Sequence, residues 1–448
     1  MSTMLTAAPT AATMSYLEPG DPLLFKRART WWTLLALFLM AQGNGIFTMQ
    51  EKHQATMKSL KELSDPSSSL LVATALMCAI CAGLTATQIG PTLRLMLRQK
   101  AVLAFAALAF LSALWSQVPT LTVRKAALLF ITMVFASFFA KYYSPADQMR
   151  LTLALGIIMA LASIAWVILL PSYGISENGE WKGVFGQKNF LGSTMLFLFA
   201  ALPFCRFPNV RRLLAVLLQA MVPIGLILLS RSMTSLILVA VLIAVRIFGP
   251  LMTRTRREAF PFMLYSAVFG IVMIPITFGA LLPLLGRDST LTGRTHSWAV
   301  ILPFALKHLW LGYGYQGFWI GSSGDSGSVD AILGAGQNVA DSGYLDMMLQ
   351  FGLVGLGLLL VLLAVNVRDF LRLLRRPSVP LVAYWYLGLI LATFVGSVTE
   401  GMFWMPIRII PFMLVLACAG LRNLADEDTA FAVSPAGRPV ASPEFRLS

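Results

Sequence analysis

Apolar runs of membrane-crossing length, separated by short polar stretches, recur along almost the whole chain. A helix needs roughly 20 apolar residues to cross the hydrocarbon of a bilayer. Measured with that ruler, the pattern predicts twelve spans. Six lie near residues 31–48, 69–87, 102–116, 126–140, 150–170 and 189–205. The other six lie near 213–229, 233–248, 260–283, 346–366, 380–398 and 403–420, with ten to thirteen as the bounds on the count. The third and fourth are the shortest. The expected fold is all-α, a polytopic membrane helix bundle of about 12 transmembrane helices with a long outer loop carrying short helices. It divides into an N-terminal segment (1–30), spans one to nine (31–283), the long loop (284–345), spans ten to twelve (346–420) and a tail (421–448).

Composition strengthens this reading. Of the 448 residues, 57% are hydrophobic and 12% charged, about half the roughly 25% charge of a soluble domain. The mean hydropathy is +0.76. A water-soluble globule is excluded, and so is a disordered or fibrous chain. The net charge of +14 would point to nucleic acid in a soluble protein; here the basic residues sit between apolar runs, and no nucleic-acid partner is expected. Cys78 and Cys81 have C-x-x-C spacing but lie inside an apolar run with no second ligand pair, so they read as packing residues. The polar start, then Lys26, Arg27 and Arg29 ahead of a full-length apolar run, reads as a retained signal anchor.

Lys and Arg set orientation. With a cytoplasmic N-terminus, the inside segments hold 22 of the 34 basic residues, and the alternation never breaks. Both termini are therefore expected in the cytoplasm of a multi-pass membrane protein. The Ala-, Pro- and Ser-rich tail reads as disordered. The outward loops are short except for 284–345, and long loops are where function collects. Within it, 289–310 reads as helical and 321–336, rich in Gly and Ser, as flexible.

Chemistry is sought among polar residues at the outer ends of the spans. A charge near mid-membrane costs roughly 2.5–3.5 kcal/mol on insertion scales, so it has a partner or a task. Arg231 stands between two apolar runs with almost no loop around it, against the charge bias of the outer side; a snorkelling interface residue is its plain alternative. Arg294 opens the loop helix, where a helix N-terminus beside a guanidinium makes an anion site. Arg124 and Lys125 stand at the mouth of the fourth span and Arg287 and Lys307 read as solvated. Asp341 precedes the tenth span, either as a helix cap or as a proton acceptor, with Asp346 following. Glu400, between the last two spans, faces the same side. His53, His296 and His308 are too scattered for a metal site; His296 is a candidate proton carrier or interface residue. Guanidinium groups match phosphate with paired donors, and a carboxylate accepts a hydroxyl proton. Walker, zinc-protease and elbow-serine motifs are absent.

The ordered segments LSALWSQVPTLTVRKAALL (111–129), WKGVFGQKNFLG (181–192), LLSRSMTSL (228–236), LTGRTHSW (291–298), LGYGYQGFW (311–319) and DSGYLDMMLQFGLVGL (341–356) resemble the O-antigen ligase and polymerase superfamily, particularly its exopolysaccharide polymerase branch. The resemblance implies an inverting, metal-independent, cofactor-free glycosyltransferase. It would polymerise or ligate glycans carried on undecaprenyl diphosphate at the periplasmic face, during exopolysaccharide or O-antigen synthesis. Its partners would be a lipid-linked glycan donor, a glycan acceptor, the bilayer, a flippase and a chain-length regulator. The family's diphosphate-binding arginines map onto Arg231 and Arg294, with Arg124 and Lys188 as further candidates. Asn189, Tyr344, Glu400 and His296 are expected to touch substrate. The family's proposed basic His is replaced: the segment here starts at Asp341, which takes the role of base. A twelve-span chain with both ends inside also describes a lipid-linked oligosaccharide flippase or another secondary transporter, but the halves of this chain show no similarity.

Overall fold

The computed structural model describes residues 23–41, 68–205, 209–255, 258, 294–321, 323–333, 339–374, 376 and 379–432. It is all-α, about 79% helical with no strand among the described residues. The helices are α1 (Leu23–Ala41), α2 (Ser68–Ala86), α3 (Ile89–Arg98), α4 (Lys100–Leu111), α5 (Pro119–Tyr142), α6 (Pro145–Leu169) and α7 (Lys188–Phe199). They continue as α8 (Val210–Leu229), α9 (Met233–Thr255), α10 (Arg294–Lys307), α11 (Gly324–Leu333), α12 (Gly343–Leu373), α13 (Leu381–Gly396) and α14 (Ile409–Ala432), with a single turn at Pro171–Gly174 before α7.

Among the described residues, six helices are long and apolar enough to cross a bilayer, or seven with one bent pair, against the twelve spans expected. The six are Ser69–Ala86, Pro119–Tyr142, Pro145–Leu169, Met233–Leu251, Gly343–Leu373 and Ile409–Asp426. Apolar segments at Lys188–Phe204, Leu213–Leu229 and Leu381–Gly396 are shorter. Hydropathy counts apolar residues and cannot see where the helix stops inside a run. The 16-residue α13 is buried from Ala383 to Gly396, so its apolar length reflects burial among other helices, not lipid contact. The expected ninth span lies outside the described residues.

The third expected span has a sharp bend just ahead of it. It is preceded by α3, and the pair Ile89–Arg98 and Lys100–Leu114 bends by 93° at Gln99, whose side chain donates to Ser137 Oγ at 3.3 Å. Exposed Ile89, Leu93 and Leu97 share the helix with Arg94 and Arg98, the amphipathic pattern of a helix lying in a bilayer interface. Pro119 and Pro145 start α5 and α6, where the missing N–H costs no hydrogen bond.

The bundle packs α5 against α14, α9 against α13, and α13 against α14. Leu161, Ile168, Leu218 and Leu360 are exposed, as expected for a lipid-facing surface. One end of the bundle is held by Asp369, which pairs with Arg368, Arg372 and Arg422 at 3.2–3.4 Å. Nearby, Arg98 meets Asp426 at 3.1 Å. The starts of α5, α7, α9, α12 and α14 all lie at the other end.

The long loop forms two short helices as expected, α10 and α11. Its Gly- and Ser-rich part is a correction: Gly324–Leu333 is helical, with Ser326, Val329 and Asp330 buried, because Ser326 Oγ satisfies Gly321 and Ser323 carbonyls at 2.9 Å. A separate small core of Ile301, Ala305, Tyr313, Phe318, Val329, Ala340 and Leu349 underlies the loop. The loop is also joined to α12. Gly352 breaks that helix at φ 60°, ψ −151°, a conformation open essentially to glycine alone. At the break, Tyr313 N and Gly314 N donate to Leu349 O and Gln350 O, while Leu353 N and Val354 N donate to Leu309 O and Trp310 O.

Candidate functional site

Arg231 occupies the tight turn between α8 and α9, its backbone N–H on Leu228 O at 3.0 Å and its φ at 50°. A non-glycine residue in the left-handed region is uncommon and concentrates at functional positions. Ser230 and Ser232 on either side are buried, and Ser232 Oγ lies 2.9 Å from Ser235 Oγ. Gly192 on α7 allows this turn to come close: a Cβ there would sit 2.6 Å from Ser235 Oγ. The 175–187 segment is fixed alongside by the Ile175–Trp181 bridge and by Trp181 N on Leu229 O at 3.1 Å. The exposed Arg231 side chain reaches Asn178 O at 3.5 Å. Lys188, in the first turn of α7, pairs with Glu180 at 2.5 Å. That hydrogen bond, with help from Ser176 and the field of Arg231, holds the Glu180 carboxyl below its usual range. Lys188 and Arg231 thus share one carboxylate's surroundings.

Arg294, the first residue of α10, binds Glu400 through Nη2 and Oε1 at 2.7 Å, with both side chains mostly buried. Glu400 stands in the connection after α13. Its neighbour Thr399 is hydrogen bonded to Thr234, three residues beyond Arg231, at 2.9 Å. Burial pushes the Glu400 carboxyl up to about 7 despite Arg294, and the charge of Asp341 adds to the rise. The start of α12 is tied to the same connection, with Gly343 N donating to Ser397 O at 2.7 Å and to Glu400 O at 3.0 Å.

Asp341 is not the helix cap. Ser342 caps α12, accepting from Leu345 N at 3.5 Å. Asp341 lies one residue outside with φ 50°, half-buried and within electrostatic reach of Glu400 and Asp346. Buried Asp346 accepts from Trp319 Nε1 at 3.0 Å and Ala340 N at 3.1 Å. It therefore braces the residue next to Asp341 against the long loop, and its Oδ2 has no partner among the described residues.

A second group of cations stands beside this one. Arg408 immediately precedes α14, and its guanidinium lies 4.5 Å from the centre of the Phe190 ring. Burial lowers its pKa to about 10. Lys125, on α5, is half-buried and within electrostatic reach of Arg124 and Arg408. A cavity lined by Phe190, Thr194, Gly401, Met402, Met405 and Arg408 opens here.

Arg231, Lys188, Arg294, Asp341 and Glu400 are therefore brought to one end of the bundle, with Arg124 on its flank. Asn189 is half-buried in the first turn of α7 and His296 is exposed on α10. The Tyr344 hydroxyl donates to Phe394 O at 2.9 Å and its ring meets Phe403 edge-on, so it forms wall and presents no free hydroxyl. Arg287 lies outside the described residues. Sequence reasoning did not single out Glu180, Arg408 or the bracing role of Asp346. The available signal for Arg408 was the one already used for Arg231, a lone charge between apolar runs.

Residues 217–360 match a family model described as Wzy_C, O-Antigen ligase. No curated protein matches the chain. The matched segment, about a third of the chain, carries Arg231, Arg294 and Asp341, and it is similar to an O-antigen ligase domain.

Proposed function

We propose that this chain is a glycosyltransferase that extends or transfers glycans carried on undecaprenyl diphosphate at the periplasmic face of the inner membrane. The observation that supports the reading is that Arg231 and Lys188 beside Glu180, and Arg294 on Glu400 within reach of Asp341, all stand at one end of the bundle, opposite the Asp369 cluster. Arg294 gives one nitrogen to Glu400 and retains further N–H donors for a ligand. In the proposed step, the acceptor hydroxyl oxygen forms a bond to the anomeric carbon while the bond from that carbon to the diphosphate breaks. The electron pair leaves with the diphosphate, where Arg231 and Arg294 offset the growing charge. The hydroxyl proton passes to Asp341 on the opposite face of the sugar, which inverts the configuration. Diphosphate is a good leaving group, so the step balances without a metal. A flippase and a chain-length regulator are the proposed partners of such an enzyme.

The test is deletion of the gene and restoration with Arg231→Ala, Arg294→Ala or the intact chain, followed by analysis of lipid-linked intermediates. Single repeat units accumulating on lipid indicate a polymerase, and full-length chains remaining on lipid indicate a ligase. Near-normal product from either inserted variant removes the proposed grip on diphosphate.

A further inference from the structure

We propose that α3, together with the arginines at the adjoining ends of α12 and α14, is a seat for anionic phospholipid headgroups, on the end of the bundle opposite the candidate site. The proposal is independent of the glycosyltransferase reading.

Orientation provides the first argument. α4 packs against α5 and α12, two of the helices long enough to span a bilayer. The 93° bend at Gln99 therefore turns α3 across the end of the bundle. Its last residue, Arg98, meets Asp426, the final residue of the span Ile409–Asp426, at 3.1 Å. Gln99 donates to Ser137, in the last two turns of α5. α3 thus lies at the depth where spans end and hydrocarbon gives way to headgroups.

The faces of α3 provide the second. Thr92, Leu95 and Met96 are buried against the bundle. Ile89, Leu93 and Leu97, four residues apart, form an exposed apolar stripe. Gly90, Arg94 and Arg98, one position further round, form an exposed stripe beside it that carries the charge. An interfacial helix needs both: apolar side chains that enter the acyl boundary, and guanidinium groups whose stems reach back to the surface. A free anion would engage the arginines alone. A phospholipid covers both stripes, its acyl chains against the apolar side chains and its phosphate on the arginines.

Charge provides the third. The chain has no Asp or Glu from residue 66 to residue 146, while α3 and the start of α4 supply Arg94, Arg98 and Lys100. At the adjoining helix ends the described ion pairs join four arginines, Arg98, Arg368, Arg372 and Arg422, to two carboxylates, Asp369 and Asp426. Basic side chains in excess at a bilayer surface gather anionic lipid, and a guanidinium grips a phosphodiester with paired donors. Arg98 keeps 59% of its side-chain exposure while paired with Asp426, so a headgroup competes with that carboxylate for the same guanidinium.

The test is binding of phosphatidylglycerol and of phosphatidylcholine to the full-length protein in neutral detergent micelles, with bound lipid measured by native mass spectrometry. Phosphatidylglycerol should bind more tightly than phosphatidylcholine, by about tenfold or more. Arg94→Gln and Arg98→Gln should each lower its affinity about threefold to tenfold, as expected for one basic residue at an anionic surface, and leave phosphatidylcholine unchanged. Asp426→Asn should raise it about twofold to fivefold by releasing Arg98 and Arg422, a gain that a folding defect cannot produce. Equal binding of the two lipids, or a preference unchanged in both arginine variants, overturns the seat. Losses alike for both lipids in the arginine variants, with no gain in Asp426→Asn, overturn it as well. Displacement of phosphatidylglycerol by millimolar glycerol phosphate would assign the arginines to free phosphate esters and overturn the lipid as occupant.

Discussion

Replacing Arg294 by Gln should destabilise the protein in a way that depends on pH through Glu400. The two side chains meet at 2.7 Å and retain 17% and 10% of their exposure. At an effective dielectric near 20, unit charges about 4 Å apart attract by about 4 kcal/mol. Removing one member of such a buried pair costs about 3–5 kcal/mol, because the other is left charged and unpaired. The Glu400 pKa, about 7, already lies above its ordinary 4.5. Its contribution to stability is therefore present below about 4.5 and lost as pH rises through about 7. Without Arg294 the carboxyl is raised further, so the variant's extra loss should be small near pH 5 and full near pH 8.5. The double variant with Glu400→Gln should recover much of it, giving a coupling of roughly 2–4 kcal/mol at the higher pH. Unfolding titrations in mixed micelles, followed by tryptophan fluorescence, measure each corner of the cycle. A coupling below about 0.5 kcal/mol at pH 8.5, or the same loss at both pH values, would refute the buried pair as the cause.

Asp341→Asn should reduce turnover far more than Asp346→Asn, since Asn at 346 can still accept from Trp319 and Ala340; equal, mild losses in a product assay would remove Asp341 as the base. Ser342→Ala should cost about 1 kcal/mol of stability through loss of the α12 cap, visible as a lowered unfolding midpoint. Gly352→Ala should cost roughly 3 kcal/mol or more, because its Cβ would meet Trp310 C at 2.3 Å; an unchanged midpoint would contradict the constrained break.

The helical, membrane-spanning class was legible in run length alone, because burial in lipid or in protein both demand apolar residues. The count was less legible, since the 16-residue α13 runs from the Asp369 end of the bundle to the Glu400 end while its apolar surface is covered by neighbouring helices. The right-angle bend at Gln99 and the break at Gly352 leave no mark in hydropathy; both depend on partners far along the chain, Ser137 and the 309–314 segment. In the site, Arg231, Arg294 and Asp341 stood out as polar residues at the borders of apolar runs. The pairing of Arg294 with Glu400 spans 106 residues of sequence and had no local signal. Asp341 read equally well as a cap until Ser342 was seen to fill that place.

The four backbone bonds across the Gly352 break have a mechanical consequence. At roughly 0.5–1.5 kcal/mol each, they fasten the 309–314 segment to the N-terminal part of a 31-residue helix. That segment follows directly on α10, which carries Arg294. Any swing of this part of the loop as a separate flap must break these bonds together, so during turnover it behaves as a fixed wall of the chamber. For the glycosyltransferase proposed above, entry and exit of substrate would then leave this wall in place. Cross-linking 310 to 353 should consequently leave the rate of product release nearly unchanged.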